Sequence, residues 1–175
     1  MRIRAAIVGH PYVVGLIALT GAAFTAFVLA YFQPQKLFID DRVDEPLPAA
    51  APASRPSSAP SRPAIRTLST GAFRSYEHSS RGEARVIQLA DDRRYVRFER
   101  FRTSNGPDLR VYLSTTAATG PGDTFDDRYV ELGHLKGNVG SQNYAIPARV
   151  RLARYASVVV WCKRFSVPFA AAPIR

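Results

Sequence analysis

The sequence predicts an all-β domain, a compact antiparallel sandwich or barrel, preceded by one transmembrane helix and a Pro/Ala/Ser-rich linker. Three observations carry this expectation. Residues 12–32 form a run of 21 residues without a charge; seven of the 13 prolines fall in residues 33–66; and everything after Thr67 reads as short β-like runs separated by turn signals. The expected divisions are a cytoplasmic N-terminus (1–11), the spanning helix (12–32), a disordered linker (33–66) and an extracytoplasmic β domain (67–175).

The first run, "YVVGLIALTGAAFTAFVLAYF", has the length a bilayer core requires, since about 20 apolar residues at 1.5 Å rise cross it. A cleaved signal has an apolar region of about 7–15 residues ending in a small-residue site. This run is longer and ends in Tyr31 and Phe32, aromatics suited to a headgroup belt, which favours an uncleaved anchor. Arg2 and Arg4 precede it, and Asp40, Asp41, Asp44 and Glu45 follow it. The positive-inside rule then places the N-terminus in the cytoplasm and the rest in the periplasm or outside the cell. Ala18, Ala22, Ala26 and Ala30 recur every four residues, a spacing that lets two helices approach and makes a homodimer through this stripe a candidate arrangement.

Residues 46–63, "PLPAAAPASRPSSAPSRP", show no apolar periodicity and read as an extended spacer that tethers the domain. Beyond it, "ARVIQLA", "YVRFERFR", "LRVYLST", "RYVELGHL", "YASVVVWCK" and "FSVPFAAAPI" are the strand candidates. In "YVRFERFR", Tyr95, Arg97, Glu99 and Phe101 alternate with Val96, Phe98 and Arg100. No segment holds ten residues at helical spacing, apart from a turn near residues 149–155. "TSNGPD" is the clearest turn: Asn105-Gly106 supplies it, Pro107 fixes φ, and Asp108 can bond neighbouring amides.

The chain carries 24 Lys+Arg against 14 Asp+Glu, a net charge of +10. The positive charge is spread along the domain rather than blocked, and the topology places the domain away from DNA, so nucleic acid is not an expected partner. An anionic envelope surface is the better electrostatic match. The common catalytic signatures are missing: no G-x-S-x-G, no H-E-x-x-H, no C-x-x-C-H. One cysteine and three histidines do not make a self-contained Cys/His zinc site, and no cofactor is named by any motif.

Cys162 is the single thiol. In a strand it shares a face with Val158 and Val160, while Val159, Trp161 and Lys163 share the other; valines on both faces imply burial, where cysteine behaves as a small hydrophobe. An unpaired thiol in an oxidising compartment nevertheless calls for an explanation. His78, before the turn "SSRG", is a candidate proton carrier or ligand, and His134 in "ELGHLKG" is a weaker one.

The ordered combination of "GAFRSYEHSSRGEARV", "FRTSNGPDLRVYLS", "YVELGHLKGNVGSQNYAIP" and "SVVVWCKRFSVPFAAA" resembles the DM-thirteen domain family. That family is described as an electron-transfer domain, found alone in membrane-anchored bacterial proteins and beside haem-binding DOMON domains in animals and plants. The resemblance implies a β-sandwich-like fold and a redox-active cysteine, which falls on Cys162; His78 and Asp108 match family positions. With no DOMON domain or haem motif in this sequence, the implied electron partner is a separate redox or haem protein. Two functions from different classes follow: a membrane-tethered extracytoplasmic redox module acting through Cys162, tuned by His78, or an envelope binding or scaffolding module in which Cys162 is buried structure and "SRGEAR" and "DDRRYVRFER" form the working surface. A metal-dependent redox site on Cys162 and His78 is a third.

Overall fold

A computed structural model describes residues 11–32, 39–50 and 64–175. The expected cytoplasmic N-terminus (up to residue 10) and linker residues 33–38 and 51–63 lie outside the described residues. Helix α1 (Pro11–Phe32) buries none of its residues. Its 22 residues extend about 33 Å, enough for the hydrocarbon core, and its composition fits a membrane span or a signal sequence. Thr20 and Thr25 donate their hydroxyls to the carbonyls of Leu16 and Gly21, both at 2.9 Å, so neither hydroxyl is left unpaired in an apolar setting.

The rest is a sandwich of two five-stranded sheets. In chain order the strands are β1 (Arg42–Asp44), β2 (Ile65–Ala72), β3 (Arg74–Ser75), β4 (Arg81–Leu89), β5 (Arg94–Arg102), β6 (Leu109–Ser114), β7 (Tyr129–His134), β8 (Val139–Ile146), β9 (Ser157–Cys162) and β10 (Val167–Pro173). One sheet has the order β1-β8-β5-β4-β2, the other β3-β10-β9-β6-β7. Every pairing is antiparallel except β1 with β8. Val86, Val96, Phe98 and Tyr144 of the first sheet face Val111, Leu113, Val158, Val160 and Cys162 of the second across one apolar core.

β9 is buried along its whole length, as its two-faced valine pattern predicts. Its second face, with Val159 and Trp161, packs with Tyr112, Phe125 and Tyr76. The Gly/Asp-rich loop after β6 supplies that cover. Phe125 meets Tyr76 edge-on at 5.2 Å, and the Tyr76 hydroxyl reaches the carbonyls of Ala118 and Gly120, both at 2.8 Å. The turn expected near 149–155 is a 3-10 turn at Leu152–Arg154.

The structure departs from simple alternation in β5. A bulge between Phe98 and Phe101, with Arg100 at φ 49°, turns Phe101 into the core instead of leaving it on the face of Arg97 and Glu99. Opposite the bulge Gly82 has φ 111°, and a Cβ there would press on Phe101 Cα and the Arg100 carbonyl.

The larger departure is at the start of the chain. Arg42–Asp44 lies inside the stretch read from its prolines as linker, yet it joins the sheet as β1, parallel to β8 with Val43 opposite Gly140. Charge and polar side chains seat it. Asp40 bonds Arg102 at 3.0 Å and Asn138 at 2.8 Å; Asp44 receives the Ser141 amide at 3.0 Å; Glu45 pairs with Lys136 at 2.6 Å and receives the Asn143 amide at 2.7 Å. Composition recorded the prolines but not these acids as contact residues. The proline-rich run 51–63 therefore falls between β1 and β2, within the domain's own chain path, and only residues 33–38 separate α1 from the docked segment.

Candidate functional site

The three residues singled out by sequence sit at one end of the sandwich, the end where β6 begins and β9 finishes. Cys162 closes β9, paired across strands with Leu109 and Val167. It is 0% exposed and belongs to the core between the sheets. The next amide, Lys163 N–H, donates to the Asp108 carbonyl at 2.9 Å, so the N-G-P-D turn is stitched to the end of β9 directly after the thiol.

The side chains do not converge. Asp108 does not cap neighbouring amides as expected; its carboxylate takes the Arg110 guanidinium at 2.6 Å and lies 3.6 Å from His134 Nδ1. Arg110 is paired with Trp161 on the face opposite Cys162, so the sheet separates the Asp108 carboxylate from the sulfur. Burial alone would raise the Asp108 carboxyl, but the hydrogen bond and charge of Arg110 outweigh it and hold the group below its ordinary value. Glu131 joins the same cluster through Arg110 at 2.5 Å and Lys163 at 3.7 Å. The His78 ring lies on Phe169, 3.9 Å between centroids, and Phe169 is two residues from the β10 partner of Cys162. No hydrogen bond joins Cys162 to either residue among the described residues, and no three His, Cys, Asp or Glu side chains there cluster as a metal site.

The turn after Cys162 is the exposed part of this end. Ser166 takes φ 52°, and Phe165 stands 50% exposed. Phe165 stacks on Phe32 at the end of α1 (6.1 Å), and the Arg164 guanidinium lies over the Tyr31 ring (4.1 Å). The docked segment enters at the same end: Asn105 Nδ2 reaches the Ile39 carbonyl at 3.2 Å and Asp41 at 3.0 Å.

Sequence reasoning missed what the run from Lys136 to Tyr144 does. Within it Gly140 takes φ 114°. The run serves to receive β1. A Cβ on Gly140 would strike the Val43 carbonyl, and one on Gly137 would strike that of Asp41. Gln142 fastens the loop from inside: its Oε1 accepts the amides of Lys136 and Gly137, both at 3.2 Å, and the Tyr144 hydroxyl, while its Nε2 donates to Gly137 O at 2.6 Å. Burial pushes the Tyr144 hydroxyl well above its ordinary value, keeping it a donor. The spacing of glycines and amides was the available signal; their target lay about 95 residues earlier in the chain, beyond the reach of local pattern.

The basic-aromatic runs proposed as a working surface are largely self-neutralised. Arg85 pairs with Glu99 at 3.0 Å, Arg93 with Asp91 at 2.8 Å, and Arg97 bonds the carbonyl of Glu45 at 2.9 Å and the side chain of Asn143 at 3.0 Å.

Fold and site together define a two-sheet β-sandwich domain with one sealed thiol at a strand end, preceded by an apolar helix. A family model described as Electron transfer DM13 matches residues 72–174, more than half of the chain, and the chain belongs to that family. No curated protein and no solved structure matches it.

Proposed function

We propose that this chain is a membrane-tethered electron-transfer module whose β domain lies outside the cytoplasm and works close against the membrane through Cys162. The observation that carries the reading is the family match, which runs from the end of β2 through β10 and includes Cys162. Position supports it. Residues 33–38 bridge Phe32 and Ile39 with at most about 25 Å of chain, and the Phe165 turn meets α1 at the Cys162 end, where the docked segment also enters the domain. The partner in this reading is a separate redox protein at the membrane surface.

The burial of Cys162 constrains the chemistry. Exchange with a partner disulfide forms one S–S bond, breaks another and releases one partner thiolate, with the Cys162 proton passing to solvent or to His78. The attacking sulfur must be reached, so the turn 163–166 and the last β9–β10 pair have to open. His78, lying on Phe169, borders that opening.

A second reading rests on the same burial: a binding module in which Cys162, at 0% exposure, is core. A sulfenate trap on the full chain in micelles separates the two. Under native conditions with hydrogen peroxide and dimedone, the redox reading expects an adduct at Cys162 formed much faster than global unfolding. An adduct that appears only as fast as the chain unfolds would leave the binding reading standing.

A further inference from the structure

The opposite end of the sandwich, where β6 stops and β7 and β9 start, carries two adjoining open recesses of about 640 and 390 Å³ that share Arg154 and Tyr155. Both volumes fall within the usual range of ligand pockets. Arg128 borders the larger recess; Arg149 and Arg151 border the smaller. Asp127 is the one acid in either lining. All four arginines are exposed, and among the described residues none has a side-chain hydrogen bond or ion pair. Seven other arginines, Arg42, Arg85, Arg93, Arg97, Arg100, Arg102 and Arg110, each sit within 3.5 Å of a carboxylate; Arg66, Arg74 and Arg81, also without a side-chain partner among the described residues, line neither recess.

We infer that this groove is a binding site for an extended polyanion, a chain bearing phosphate or carboxylate groups whose successive charges occupy the two recesses. Four guanidinium forks without a protein acceptor, converging on one groove, offer the bidentate geometry that planar or tetrahedral oxyanions take. The two recesses meet at Arg154 and Tyr155, which suits a repeating chain better than a single ion. The groove lies at the far end from the contacts with α1, so its occupant comes from outside the bilayer that α1 would cross. The inference does not depend on Cys162 chemistry and survives failure of the redox reading.

The test uses the full chain in neutral-lipid nanodiscs at physiological salt, with fluorescent polyphosphate and polygalacturonate as probes and inorganic phosphate as competitor. Arg151→Gln/Arg154→Gln is expected to weaken polyanion binding at least tenfold. Arg74→Gln/Arg81→Gln, which removes the same charge elsewhere, is expected to change it less than twofold. Tighter binding of polyphosphate assigns phosphate as the recognised group, and tighter binding of polygalacturonate assigns carboxylate. Three results would overturn the inference: no binding of either polymer, equal loss in both variant pairs, or inorganic phosphate competing as well as the chain at equal phosphate concentration.

Discussion

The two ends of the sandwich use the same basic composition in opposite ways. At the Cys162 end, three cations are consumed internally, Arg110 by Asp108 and Glu131, Arg102 by Asp40 and Lys136 by Glu45, while Arg81 beside Arg102 has no such partner among the described residues. At the far end, Arg128, Arg149, Arg151 and Arg154 have no such partner among the described residues and surround open recesses. One end is closed over a thiol and a docked strand, and the other is left open to solvent. Net charge alone conceals this division, because the +7 carried by residues 67–175 averages over both.

The largest effect is expected where the closed end is sealed. Phe169→Ala removes a buried ring beside Leu109 and His78 and should cost about 3–5 kcal/mol in denaturant unfolding. It should also speed labelling of Cys162 more than the change in global stability accounts for. Labelling that tracks global stability alone would mean that Phe169 does not act as a cover.

Gly140→Val comes next. It places a Cβ against the Val43 carbonyl at φ 114°, strain of about 1–3 kcal/mol before any loss of β1 contacts. The expected result is a lower melting temperature together with new proteolytic cleavage within residues 39–50. Cleavage unchanged from the wild type would deny that Gly140 admits the strand.

Arg110→Gln leaves Asp108 and Glu131 without their shared partner and should destabilise by about 1–3 kcal/mol. Arg154→Gln at the open end should stay within about 0.5 kcal/mol. Equal costs at the two positions would erase the contrast between the ends.

The smallest effect is a pH dependence of the docked segment. Burial would raise Glu45, but Lys136 and the Asn143 amide outweigh it and lower its pKa; hydrogen bonds from Asn138 and Arg102 lower Asp40, and those from Arg42 and the Ser141 amide lower Asp44. Groups depressed in the folded state contribute stability in full above their ordinary values and lose it as pH falls through the folded ones. The gap in melting temperature between wild type and Glu45→Gln should therefore hold at neutral pH and close below the ordinary glutamate value of 4.5. A gap that persists unchanged in acid would remove Lys136 pairing as the cause.

How much of this was legible follows from the range of each interaction. The strand pattern, the burial of β9 and the N-G-P-D turn are local, and the sequence displays them through alternation and turn residues. Phe101 misled because a bulge shifts the period by one residue without changing composition. The docking of 39–50 and the pairing state of each arginine depend on partners dozens of residues away. Asp108 was found by position, but only the fold shows that its carboxylate lies across the sheet from Cys162.

The orientation of the two ends relative to the membrane is the most direct test of the account. In a Cys162→Ser background, a fluorophore is attached at Phe165→Cys or at Arg151→Cys, and the full chain is placed in bilayers with spin-labelled headgroups. Strong quenching at position 165 with little at 151 is the predicted result. Equal quenching at the two positions, or stronger quenching at 151, would contradict a domain held with its Cys162 end against the membrane.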